Sequence, residues 1–183
     1  MSDRANIRAW SLVELTAHIQ SALHEAGIQT VLSGGSCVTI WSKNAYISDD
    51  IDLITDGLSR RIDIKKVMLK LGFTEKNRYF VHPETKFIVE FPAGPVTVGE
   101  ERPQHINHMH VSTGTLTLLS PLDCMKDRLT WWFHHGDKQC LNQAIAVAKH
   151  HPINREELIR WSKNEGKADE FRKIELLLVN QQA

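Results

Sequence analysis

The sequence predicts an α+β fold, with a mixed sheet flanked by helices and then a C-terminal helical region. Three observations carry that expectation. Short apolar runs of strand length alternate with helical stripes as far as Leu119. From Ser120-Pro121 onward only helical stripes recur. The composition, 42% hydrophobic and 24% charged over 183 residues, is that of a folded chain and excludes a disordered one. A chain of this length hides roughly 70% of its unfolded surface, enough for a core without staples. The expected organisation is an α/β domain over 1–120 and a helical cap over 121–183.

Each element has its own local reason. Ser11-Leu12-Val13-Glu14 is a capping box, and Leu12, Leu15, Ile19 and Leu23 follow at helical spacing until Gly27 stops the helix. Thr30-Val31-Leu32 reads as a short buried strand running into Gly34-Gly35-Ser36. Cys37–Trp41 reads as a short helix, and Asp50–Thr55 as a second strand. Ile64, Val67, Met68 and Leu71 mark a helix over Arg60–Leu71, closed by Gly72. Arg78–Val81 and Lys86–Phe91 flank the turn His82-Pro83-Glu84-Thr85 as two strands. Pro92–Pro103 reads as a loop. His108–Val111 and Thr115–Leu119 form a hairpin around Ser112-Thr113-Gly114. Pro121 suits a first helical position, and Leu122, Met125, Leu129, Trp132 and Phe133 line one face. Leu141, Ala144, Ile145 and Ala148 line another. Asn154 with Glu157 caps a further helix, and Phe171, Ile174 and Leu178 mark the last.

Composition narrows the function classes. Lys plus Arg equals Asp plus Glu at 22 each, so no overall basic field favours nucleic acid or an anionic membrane. No apolar run approaches the ~20 residues needed to span a bilayer. Met1–Asn6 offers no apolar signal core. Cys37, Cys124 and Cys140 form no Cys-x-x-Cys pair, which argues against a disulfide framework and makes a reducing cytoplasm the expected location.

One constellation carries chemistry: Val31-Leu32-Ser33-Gly34-Gly35-Ser36, then Ser48-Asp49-Asp50-Ile51-Asp52-Leu53. Side chains alternate along a strand, so Asp50 and Asp52 project from one face, ~7 Å apart. Left alone they repel; together they can grip a divalent cation. Mg²⁺ favours carboxylates completed by waters and substrate phosphates. Upstream, the glycines let backbone amides approach a phosphate at a helix N-terminus.

These residues resemble the signature of the nucleotidyltransferase superfamily: an apolar strand, Gly-Gly or Gly-Ser, a short helix, then Asp-x-Asp. They are closest in pattern to the abortive-infection toxin type of minimal nucleotidyltransferase, whose later helix Pro121-Leu122-Asp123, Lys126 and Asp137 follow loosely. The resemblance implies that Asp50, Asp52 and a third carboxylate, Glu90, are catalytic and hold two Mg²⁺ ions. It implies that Ser33, Gly34, Gly35, Ser36 and Lys126 bind the NTP donor. Glu90 is the acidic side chain inside the apolar strand Lys86–Phe91, where a carboxylate is costly without a cation or hydrogen-bond donors. Two departures stand out: Tyr46 replaces a common basic residue, and Glu90 a more usual Asp. The implied reaction moves a nucleoside monophosphate from an NTP to an acceptor, which could be tRNA, a protein or a small molecule. The implied partners are an antitoxin or a second copy of the chain, and no membrane.

Simpler readings compete. A Gly-Gly-Ser turn or a solvated Asp pair is ordinary when taken singly; their conjunction is what points to the fold. His105, His108 and His110 are spaced for zinc, but an exposed strand explains them as well. Trp132 and Phe133 read as core, and Trp131 is the aromatic freer to stack on a base. A catalytically degenerate nucleotidyltransferase fold serving as a binding or regulatory module is the alternative to an enzyme.

Overall fold

The computed structural model describes residues 7–179; the N-terminal stretch Met1–Asn6 lies outside them. The architecture is α+β. Seven strands form one mixed sheet: β1 (Thr30–Ser33), β2 (Asp50–Thr55), β3 (Thr74–Lys76), β4 (Tyr79–Val81), β5 (Ile88–Glu90), β6 (Ile106–Val111) and β7 (Gly114–Leu119). Their spatial order is β3-β4-β5-β2-β1-β7-β6. β2 runs parallel to β5 and β1 parallel to β7, while β3, β4 and β5 pair antiparallel. The helices are α1 (Leu12–Glu25), α2 (Gly34–Trp41), α3 (Arg61–Lys70), α4 (Pro121–His135), α5 (Lys138–Ala148), α6 (Arg155–Asn164) and α7 (Ala168–Val179). Among the described residues no helix is long and apolar enough to cross a membrane.

The chain divides into two compact units, both discontinuous in sequence. The first takes the described residues up to Leu32, Asp49–Val96 and Asn107–Leu118, and the second takes Ser33–Ser48, Thr97–Ile106 and the described residues from Leu119 onward.

In the first unit the capping box at Ser11 forms as its sequence requires. The Ser11 hydroxyl accepts from the Glu14 amide at 3.3 Å, and the Glu14 carboxylate accepts from the Ser11 amide at 2.9 Å. Leu15, Ile19 and Leu23 of α1 are buried with Ile51 and Leu53 of β2, Phe80, Val89 and Met68. Gln20 places an amide in this core and satisfies it fully. Its nitrogen donates to the carbonyls of Thr30 (3.2 Å) and Thr117 (2.8 Å), and its oxygen accepts from the Thr117 amide at 2.8 Å. β3 is a strand the sequence does not announce. Thr74-Glu75-Lys76 has no apolar alternation, and it is held by its ladder to β4 and by Arg61 and Lys65 on Glu75.

The second unit is helical. Ser120 caps α4 by accepting from the Asp123 amide at 3.1 Å, with Pro121 in the first turn. Phe133 stacks on the buried Trp161 at 5.5 Å, and the Trp161 indole donates to the Val98 carbonyl at 3.0 Å, tying 97–106 to α6. A charged network reinforces that tie. Arg160 bridges Glu157 and Glu101, Asn164 donates to Glu101 at 2.9 Å, and Lys126 reaches Glu157 at 2.6 Å.

The network has a pH consequence. Hydrogen bonds from Arg160 hold both Glu101 and Glu157 down at about 2 against the ordinary 4.5, with Asn164 assisting the first and Lys126 the second. Depressed carboxylates stabilise the fold fully above their unfolded values and lose that contribution as pH falls toward their folded ones. The melting temperature is therefore expected to drop steeply between pH ~4.5 and ~2. Arg160→Gln flattens that limb in a calorimetric pH series if the pairing is the cause. An unchanged slope contradicts it.

Candidate functional site

The acids predicted from sequence lie on the sheet. β2 buries Ile51, Leu53 and Thr55 and turns Asp50 and Asp52 to the other side. The parallel register with β5 pairs Asp52 with Glu90 and Asp50 with Ile88. Laterally paired strand residues share a face, so Asp50, Asp52 and Glu90 stand on one side of two adjacent strands. Val89, between Ile88 and Glu90, is buried on the core side with Phe80 opposite it.

Basic side chains answer these acids. Arg78, on the turn between β3 and β4 where Asn77 takes a φ of 57°, donates to Glu90 at 2.9 Å. Its guanidinium also lies 4.9 Å over the Tyr79 ring. Tyr79, then Glu90, then Asp52 hold the Arg78 charge, raising its already high pKa. Lys86 sits 2.7 Å from Asp49, just before β2. The sequence predicts a strand over Arg78–Val81, with Arg78 as its first residue and no role for it at the site; in the structure β4 begins at Tyr79, and Arg78 lies on the turn before it.

Among the described residues no group of three His, Cys, Asp or Glu side chains is gathered closely enough to hold a metal ion. Asp50, Asp52 and Glu90 nonetheless share one face of the sheet, and Glu90 there carries the Arg78 guanidinium as its counter-ion.

The glycine motif folds where β1 ends. Ser33 closes the strand as the N-cap of α2, which starts at Gly34 rather than at Cys37 as the apolar pattern suggested. Gly34 has a φ of 64°, the left-handed region that side chains disfavour. A Cβ on Gly35 would come within 2.9 Å of the Ser48 hydroxyl oxygen. Ser48 donates its amide to Thr39 of α2 at 3.0 Å, so the loop after α2 returns onto the glycine turn two residues before Asp50. Tyr46, on the same loop, accepts from Gln139 of α5 at 3.0 Å. Gly34→Ala is expected to lower stability by about 1–2 kcal/mol through left-handed strain alone. Urea unfolding would read it, and an unchanged midpoint would mean that the turn rearranges.

The remaining candidates are placed as follows. Lys126 is fully buried in the second unit, its ammonium 2.6 Å from Glu157 and 3.8 Å from Asp123. His108 and His110 hydrogen-bond through Nδ1 to Thr117 (3.1 Å) and Thr115 (3.0 Å), and the His105 amide donates to Asp123 at 3.1 Å. Zinc is not needed to explain any of these three. Asp137 caps α5. Trp131 is exposed beside His135, while Phe133 is core.

No family model matches the sequence, and no curated protein matches it. Solved structures do. An antigenic nucleotidyltransferase-like protein from Paracoccidioides brasiliensis aligns with a TM-score of 0.65 at 15% identity over 91% of each chain. The antibiotic-resistance factor ANT(2'')-Ia in solution aligns with a TM-score of 0.53 at 15% identity, over 88% of this chain and 95% of that one. ANT(2'')-Ia in complex with adenylyl-2''-tobramycin gives 0.52 at 16% identity, over 88% and 97%. At such low identity the likeness concerns backbone alone, and across nearly the full length this chain has the nucleotidyltransferase fold.

Proposed function

We propose that the protein is a Mg²⁺-dependent nucleotidyltransferase that moves a nucleoside monophosphate from an NTP to a hydroxyl or amine acceptor. The observation that carries this reading is the strand register that sets Asp50, Asp52 and Glu90 on one face within this fold. These three side chains would hold the metal, which supplies charge neutralisation for the phosphates. The backbone at Ser33, Gly34, Gly35 and Ser36, opening α2, is assigned to the triphosphate. The acceptor oxygen or nitrogen forms a bond to the α-phosphorus, the bond to pyrophosphate breaks, and the acceptor proton passes to Glu90. One similar structure holds adenylyl-2''-tobramycin, so small aminoalcohols are the first acceptors to try, ahead of tRNA and protein.

The test is calorimetric titration with each of the four NTPs, with and without Mg²⁺, followed by label transfer from α-labelled NTP to an acceptor panel. Mg²⁺-dependent binding is expected. Its absence for every NTP, in a well-folded protein, overturns the reading and favours a degenerate fold kept as a binding or regulatory module. The Arg78–Glu90 pair is the observation that favours that second reading, since it leaves a candidate metal ligand already engaged.

A further inference from the structure

The first unit holds a cleft of 390 Å³ that the proposed donor site does not use. It opens beside Thr30, where β1 begins, whereas the glycine turn follows Ser33, where β1 ends. β1 and β7 are in register at Leu32 and Leu118, and two residues earlier on β1 the Gln20 amide bridges Thr30 to Thr117. The last turn of α1 brings His24 and Glu25 to the cleft, and β6 brings His108. Gln29 donates its amide to His24 Nδ1 at 2.8 Å, which leaves the ring proton on Nε2 as a donor. The Thr117 hydroxyl takes His108 Nδ1 at 3.1 Å, and neither ring has a partner at Nε2 among the described residues. The Glu25 carboxylate makes no hydrogen bond or salt bridge among the described residues, although it acts on His18 from a distance. Thr30 is buried in the lining, and its hydroxyl has no hydrogen-bond partner among the described residues, an unmet polar group that calls for a cause.

We propose that this cleft binds a small α-amino acid as its zwitterion, with the ammonium at Glu25 and the carboxylate at the imidazoles of His24 and His108. Among the described residues, His24, His108 and Glu25 do not gather closely enough to hold a metal ion, but an organic ligand spans groups that a single ion cannot. The volume lies at the small end of the roughly 300–1,000 Å³ usual for small-molecule sites. Glu25 sits in the last turn of α1, where the partial negative charge of the helix end adds to the carboxylate in drawing a cation. A plain anion is repelled by that same end, and a neutral ligand leaves the Glu25 charge without a partner. The His24 Nε2–H, on the same turn, supplies a donor for the ligand's carboxylate. Ile28, buried in the lining, meets the ligand's apolar part. This site and the nucleotidyltransferase reading stand or fall separately.

The experiment is NMR of the full chain, following the imidazole signals of His24 and His108 as each standard amino acid is added. The N-acetyl and amide derivatives of any amino acid that binds are titrated beside it. At least one amino acid is expected to shift both signals with a dissociation constant of about 1 mM or below. N-acetylation, which removes the ammonium, should weaken binding about fivefold or more, the scale of an exposed ion pair, and amidation of the carboxylate should do likewise. Glu25→Gln should weaken the parent amino acid by the same factor and leave its N-acetyl derivative unchanged. No shift with any amino acid up to about 20 mM, in a folded protein, overturns the proposal. So does undiminished affinity for the N-acetyl derivative or in Glu25→Gln. Shifts confined to other histidines place the ligand elsewhere and overturn it as well.

Discussion

Asp52→Asn is expected to abolish Mg²⁺-dependent NTP binding, a loss of at least about a hundredfold, while leaving the fold intact. Asp52 is the central member of the acid row, two residues beyond Asp50 on β2 and directly opposite Glu90 on β5. Asparagine keeps the shape and removes only the charge. The strand beneath is held by Ile51 and Leu53 on the buried side, so the substitution does not reach the core. Because Asp52→Asn removes both the repulsion from Asp50 and the attraction of the Arg78 charge, the melting temperature should stay within a few degrees of wild type. Calorimetry gives the affinity and circular dichroism the melt. Undiminished Mg²⁺-dependent binding by Asp52→Asn, with a normal melt, would remove the acid row from the site.

Much of this arrangement was legible in sequence because its causes are local. The capping box at Ser11, the β2 span Asp50–Thr55 and the Pro121 helix start each depend on neighbouring residues, and each stands as its local pattern requires. Alternation alone placed Asp50 and Asp52 on one face. That Glu90 joins them depends on β2 and β5 pairing in parallel with a particular register, a non-local fact that the apolar strand around it could suggest but not fix. Three features escaped for physical reasons. β3 is polar at every position and exists because Phe80 and its neighbours on β4 supply a partner edge. α2 starts three residues early because Gly34 adopts a conformation that apolar periodicity cannot register. The burial of Lys126 was partly readable: four residues after Leu122 and three before Leu129, it lies on the apolar face of α4, where a charge must find a partner. Glu157, thirty-one residues away, is that partner, and no local pattern names it.

That buried pair sets the largest expected effect on stability. Glu157→Ala would strand the Lys126 ammonium, fully buried, with Asp123 at 3.8 Å as its remaining ion pair among the described residues and Glu101 acting from farther away. Removing one partner of a buried pair typically costs about 3–5 kcal/mol, because the survivor stays desolvated. The residual attraction of Asp123 and the partial exposure of Glu157 place the expectation near the lower figure. That is still a large share of the ~5–15 kcal/mol by which a domain is stable. Lys126→Met tests the other side. It fills the same space without charge, Glu157 keeps Arg160, and the double variant Lys126→Met with Glu157→Ala should be less destabilised than Glu157→Ala alone. Urea unfolding measures all three. The same variants decide what Lys126 does. A lysine that braces α4 against α6 shows its loss in the unfolding midpoint, with NTP affinity following only the folded fraction. One that reaches the triphosphate loses affinity in Lys126→Met at full stability, and that result would return Lys126 to the donor site.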